Sequence, residues 1–159
     1  MKYFTPSEAV QLINSGESVY IQGSTSIPEV LCKALADRGD ELRDVTIYAA
    51  FAVGRCEAPF CRPEYKDSFN IKSLFVANNI RKWLAAGYGS TIPAFLGEIP
   101  GLFRDGTLPL DAVFLNVSPP NDEGYCSFGV SADLAVSATE CARKVIVQVN
   151  KAMPFSYGD

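Results

Sequence analysis

The stretch Ser118 to Gly129, SPPNDEGYCSFG, holds more chemistry per residue than any other part of the chain. Ser118 and Ser127 offer hydroxyls, Asn121 an amide, Asp122 and Glu123 carboxylates, Tyr125 a phenol and Cys126 a thiol. Pro119 and Pro120 fix φ, and Gly124 and Gly129 accept positive φ. A connector needs only about 4–6 residues, and this one is twice as long. A loop of fixed shape can be a stiff connection. It can also be a pre-organised cradle whose backbone N–H groups face a ligand. Composition alone leaves both uses open.

Other residue groups are weaker. GSTSIP, from Gly23, places small residues before a helix, so Gly23, Ser24 and Thr25 could approach an anion. It matches no phosphate-loop motif, and a tight turn with a helix cap explains it equally well. Asn78-Asn79 reads first as a cap pair. Cys56 and Cys61 lie five apart with no second pair, which makes no zinc site. The chain has no histidine. Without one, neither a Ser-His-Asp triad nor a His-ligated metal can be built.

The elements that must position these groups follow from patterning. TPSEAVQLINSG predicts a helix with Thr5 as cap, Glu8 completing a capping box and Gly16 as the stop. IPEVLCKALADRGDEL predicts a second, burying Val30, Leu31, Ala34 and Leu35. NNIRKWLAAG predicts a third, with Ile80, Trp83 and Leu84 inward. SADLAVSATECAR predicts another, burying Leu134, Ala138 and Cys141. STIPAFLGEIPGLFRDG mixes a short strand with a turn or brief helix. Between them SVYIQG, DVTIYAAFAVG, NIKSLFVA, DAVFLNVS and KVIVQVN read as strands. They are continuous apolar runs rather than alternating ones, as in a sheet covered on both faces. Such an order predicts an α/β fold with an open, mostly parallel, Rossmann-like sheet. Ligands then bind outside the carboxyl ends of the strands. Loops starting at Gly23, Ala52, Val76, Ser118 and Asn150 would share that edge.

The bounds agree. The chain has 159 residues, 48% hydrophobic and 20% charged, with net charge −4. This is globular composition for one domain. No Lys/Arg run is available to neutralise nucleic-acid phosphates. MKYFTPSEAV lacks the apolar core of a signal peptide. The longest apolar run, Ile47 to Val53, is far short of the ~20 residues that span a bilayer. Five cysteines, an odd number, predict reduced thiols, no metal and a cytoplasmic setting.

Four segments resemble the N-terminal half of the acetyl-CoA hydrolase/transferase family, most of all its 4-hydroxybutyrate or butyrate:acetate CoA-transferase branch. They are SGESVYIQGSTSIPEVLCKAL, NNIRKWLAAGYGSTIPAFLGEIPGLFRDGTLPLD, VSPPNDEGYCSFGVSADLA and KVIVQVNKAMPFSYGD, and together they cover nearly the whole chain. The third is the most specific. The family form carries aspartate and histidine where this chain has Asn121 and Glu123.

The resemblance implies CoA transfer from an acyl-CoA to a short carboxylic acid. A glutamate in the C-terminal half is the covalent nucleophile, coenzyme A is a substrate, and no metal or other cofactor takes part. Residues 1–159 would then be one N-terminal domain, inactive alone, in a homo-oligomer. On this resemblance the substrate-binding positions are Gly23, Ser24, Thr25, Phe51, Gly54, Asn78, Asn79, Ser118, Pro119, Asn121, Gly124, Tyr125, Ser127 and Gly129. Acyl-CoA hydrolysis and non-catalytic acyl-CoA binding are the alternatives on the same fold.

Overall fold

A computed structural model describes residues 2–50 and 59–157. Among them, six parallel strands form one sheet in the order β4-β3-β2-β1-β5-β6. The strands are β1 Ser18–Ile21, β2 Val45–Ala49, β3 Phe69–Ser73, β4 Gly89–Thr91, β5 Ala112–Val117 and β6 Lys144–Val149. The helices are α1 Pro6–Ala9, α2 Glu29–Ala36, α3 Asn78–Ala85, α4 Ile99–Arg104 and α5 Ala135–Cys141. The predicted α/β architecture with a parallel sheet is what the chain adopts.

Alternation along the strands splits the core in two. Val19, Ile21, Ala112 and Phe114 face one side with α2 and α3, where Leu31, Cys32, Leu35 and Ile80 cover them. Tyr20, Val113, Leu115 and Val117 face the other, covered by Ile99 and Phe103 of α4 and by Ala135 and Ala138 of α5. Every residue of β1 and β5 is buried. That is why their sequences are almost continuously apolar rather than alternating.

The N-terminal capping box forms as predicted. The Thr5 N–H donates to Glu8 Oε2 at 2.8 Å, and the Glu8 N–H donates to Thr5 Oγ1 at 3.3 Å. Gly16 turns the chain at φ +79°. At the start of β6 the Lys144 ammonium donates to Glu17 Oε1 at 2.6 Å and to Leu12 O at 2.7 Å. Burial works to raise the Glu17 carboxyl, but the hydrogen bonds from Lys144 and Asn14 outweigh it and hold the group below the usual glutamate range.

Three local expectations are corrected. Val30 is exposed. The buried face of α2 is Leu31, Cys32, Leu35 and Ala36, a stripe at i, i+1, i+4 and i+5 that leaves Glu29 and Val30 outside. Helix α3 is capped by Ala77 rather than by an asparagine side chain, so Asn78 and Asn79 are its first two residues. Pro28 occupies the cap of α2 without a side-chain hydrogen bond, so no serine or threonine of GSTSIP caps that helix.

Candidate functional site at the strand switch point

Connections run from β1 outward through β2, β3 and β4, then return to place β5 on the other side of β1. The β1/β5 boundary is therefore the topological switch point, where open parallel sheets form a crevice beyond the carboxyl ends of their strands. The loops leaving β1 at Gln22 and β5 at Ser118 flank it.

Gln22 fixes this boundary. Its N–H donates to Phe114 O at 3.0 Å. Its side-chain Oε1 accepts the Asn116 N–H at 2.7 Å, and its Nε2 donates to Ser131 O at 2.7 Å. Strand β1 has ended by this point while β5 continues. The side chain thus supplies a further rung of the ladder and pins the return loop. Gln22 is fully buried, and this amide meets donor and acceptor needs in one group. Sequence analysis did not single out Gln22 or Asn116. The signal was there: each is a polar residue set inside an apolar strand run.

Two buried atoms beside it, Ser26 Oγ and Asn116 Oδ1, have no hydrogen-bond partner among the described residues. The Asn116 side-chain Nδ2 lies 3.5 Å from Ile27 O, which places it against the turn that Ser26 leads into. That turn closes through the Ser26 N–H to Gly23 O at 3.2 Å, with Ser24 in the left-handed region at φ +56°.

The loop Ser118–Gly129 leaves the carboxyl end of β5 at the predicted edge, and it is braced internally. The Ser118 N–H donates to Ser127 O at 3.0 Å, and the Ser127 N–H donates to Ser118 Oγ at 2.9 Å. Asn121 Oδ1 accepts from the Glu123 and Tyr125 N–H groups at 3.1 and 2.9 Å. Ser127 Oγ accepts from the Gly129 and Ser156 N–H groups at 3.0 and 3.1 Å. The side-chain oxygens of Ser118, Asn121 and Ser127 are thus spent on the loop's shape. Gly124 turns it at φ +87°. Pro119 and Tyr125 are exposed on its surface. Burial pushes the Cys126 thiol up, which makes it a poor thiolate nucleophile.

A cavity of about 560 Å³ opens at the same edge, between the ends of β1, β2 and β3 and the segment after β4. Ser24, Ala50, Leu74, Ala94, Ile99, Ser131 and Asp133 are among its walls. Of the predicted positions, Ser24 lines it, with buried Gly23 before it and exposed Thr25 after it. Asn78 is exposed at the start of α3 and is not among the described walls; Asn79 follows it in the helix. Phe51 and Gly54 lie outside the described residues, as does Cys56. The β4–α4 segment, read in sequence as a short strand followed by a turn or brief helix, supplies Phe95 and Leu96.

The acetyl-CoA hydrolase/transferase N-terminal domain model matches residues 1–159. The chain belongs to that family. It is 34% identical over 158 residues to a 4-hydroxybutyrate coenzyme A transferase of Clostridium kluyveri, covering 99% of this chain and 36% of the relative. It is 32% identical over 154 residues to a succinyl-CoA:acetate/propanoyl-CoA:succinate CoA transferase of Fasciola hepatica, covering 96% and 31%. Among solved structures, RipA from Yersinia pestis superposes with a TM-score of 0.84 at 29% identity, covering 95% of this chain and 37% of RipA. The family member described here thus spans about a third of the length of the curated relatives it matches.

Proposed function

We propose that this chain forms the acyl- and carboxylate-binding wall of a CoA-transferase whose nucleophilic glutamate lies in the C-terminal portion that its relatives carry. In that reaction the glutamate carboxylate attacks the thioester carbonyl. A C–O bond forms, the C–S bond breaks, and coenzyme A leaves as thiolate, giving an acyl-glutamyl anhydride. The thiolate then attacks the glutamyl carbonyl, releasing the first acid and leaving an enzyme thioester. The incoming carboxylate reverses both steps. This is covalent catalysis with ping-pong kinetics. It calls for oxyanion donors and for exclusion of water from the anhydride.

The observation that carries this reading is the Ser26 hydroxyl, buried without a partner among the described residues at the switch point of a chain matched throughout by the family model. A buried hydroxyl without a partner costs about 1–3 kcal/mol. A substrate oxygen admitted by movement of the Gly23–Ser26 turn would relieve that penalty. The neighbouring loop oxygens, already engaged, hold the crevice in shape.

Ser26→Ala separates this role from a structural one. Because Ser26 Oγ holds nothing in the closed turn, removing it should leave the melting temperature unchanged or raise it. With the C-terminal portion present, kcat/KM for the acyl-CoA should fall at least tenfold, toward the loss of roughly 10²-fold that follows removal of one oxyanion donor. Lower stability with unchanged kcat/KM would assign the hydroxyl to the fold instead.

A further inference from the structure

We propose that the outer edge of β6, with the apolar groove beside it, is covered by a β-strand from the C-terminal portion that the relatives carry. This goes beyond the transferase reading and does not depend on its chemistry. Strand β6 is the last in the order β4-β3-β2-β1-β5-β6. Its Lys144 N–H donates to Asp111 O at 3.0 Å, and the Asn150 N–H after it donates to Val117 O at 2.8 Å. The register runs from Lys144 opposite Ala112 to Val149 opposite Val117. Alternate residues of a strand bond to opposite sides, so the N–H and C=O groups of Val145, Val147 and Val149 point away from β5. Among the described residues no strand lies beyond them. The two edges of the sheet are unlike. Strand β4 ends it with three residues, Gly89, Ser90 and Thr91, too short and polar to recruit a partner. Strand β6 offers six, KVIVQV, without a proline. Its single charge does not guard the edge, because Glu17 and Leu12 O hold the Lys144 ammonium. A long apolar edge of this kind is a template for pairing.

Both faces beside this edge are apolar and open. On the α1 and α2 side a groove of about 520 Å³ runs along β6. Its walls come from residues 2–12, 30–31 and 145–149, all of them described. Phe4, Leu12 and Val30 line it and are 56%, 49% and 51% exposed. The Val30 N–H donates to Gln148 Oε1 at 3.1 Å, which ties the first turn of α2 to β6. On the other face Val147 and Val149 pack against the core under α4 and α5. Val145 shares that face by alternation and is 47% exposed. A helix laid in the groove would cover Phe4, Leu12 and Val30 but leave the edge amides and Val145 in solvent. An added strand pairs the amides and covers both faces at once. Its own sequence must then be a nearly continuous apolar run. Two grounds make the C-terminal portion the occupant. The chain spans about a third of the length of its curated relatives, so most of their length lies outside these residues. A strand tethered in the same polypeptide is also present at an effective concentration of roughly millimolar, well above that of a second copy in solution.

Amide hydrogen exchange tests this on the 159-residue chain and on the same chain joined to the C-terminal portion of its relatives. In the short chain the Val145, Val147 and Val149 amides should exchange freely, while those of Ile146 and Gln148 are protected by β5. In the joined chain the three should exchange at least about 100-fold more slowly, as amides do inside a cooperative unit. Val145→Pro removes one outward N–H and spares the β5 ladder, so the short chain should stay folded. In the joined chain it should speed exchange at Val147 and Val149 at least about tenfold. Equal exchange in the two chains overturns the proposal. Protection in the short chain that grows with concentration, with dimers in sedimentation, overturns it in favour of a second copy. Shifted Phe4 and Val30 signals with the three amides still fast overturn it in favour of a helix in the groove. If the joined chain does not fold, overlapping peptides from the C-terminal portion are titrated at millimolar concentration into the labelled short chain. A peptide that slows exchange at all three amides supports the proposal, and no effect from any peptide overturns it. None of these readouts needs turnover. Protected amides in a joined chain without transfer would sink the transferase reading alone, and transfer with unprotected amides would sink this one alone.

Discussion

Gln22→Leu should lower the stability of the fold by about 3 kcal/mol, because it strips one buried and one half-buried backbone group of their partners at ~1–3 kcal/mol each. Leucine nearly matches the volume of glutamine, so packing changes little. The Asn116 N–H and the Ser131 carbonyl, both held at 2.7 Å by the Gln22 amide, are left unpaired where Gln22 itself is fully buried. For a domain of this size the melting temperature should fall by about 6–12 °C, from ~2–4 °C per kcal/mol. That is a large share of the ~5–15 kcal/mol that holds a typical domain together. A drop of under 2 °C would show that the amide bridge is dispensable and that something else holds β1 to the return loop.

Gly129→Ala should be nearly as damaging. Gly129 sits at φ +66°, where a side chain costs about 1–2 kcal/mol. A Cβ there would also overlap the buried Met153 thioether and come within 3.2 Å of Pro154 O. Overpacking of this kind adds about 1–3 kcal/mol, so the expected total is about 3 kcal/mol by chemical unfolding. Met153→Ala should remove part of the overlap, making the double variant less unstable than the sum of the two singles. Strict additivity would place the strain at the backbone alone.

The fold was legible where the local pattern and the global fold agreed. The unbroken apolar runs at Tyr20 and Phe114 announced strands covered on both faces, and Thr5-Pro6 with Glu8 announced a helix start. Loop positions at Gly23 and Ser118 followed once the strands were taken as parallel. Single residues at helix starts were not legible, because capping preference is weaker than tertiary packing. Ala77 caps α3 although two asparagines follow it, and Val30 points outward although it extends an apolar stretch.

The site was legible only in outline. That Ser118–Gly129 is rigid could be read from its prolines and glycines. That Ser118, Asn121 and Ser127 turn their oxygens onto their own loop could not, since those residue types suit a ligand equally well. The cavity was hidden for a different reason. Ser24, Leu74, Phe95 and Asp133 belong to loops after four different strands, and only the order β4-β3-β2-β1-β5-β6 brings them together. Gln22 could have been found as a polar residue ending an apolar strand. Its partners could not, because they depend on β5 returning to the side of β1.

The central claim is that this chain binds substrate for a glutamate it does not itself contain. The direct measurement is acyl-CoA formation from butanoyl-CoA and acetate, made on the 159-residue chain alone and again with the C-terminal portion of its relatives supplied. The account predicts no transfer by the chain alone, and acetyl-CoA formation that depends on acetate once the second portion is present. Transfer by the chain alone that disappears in Glu123→Gln would contradict it, by placing the nucleophile in the Ser118–Gly129 loop.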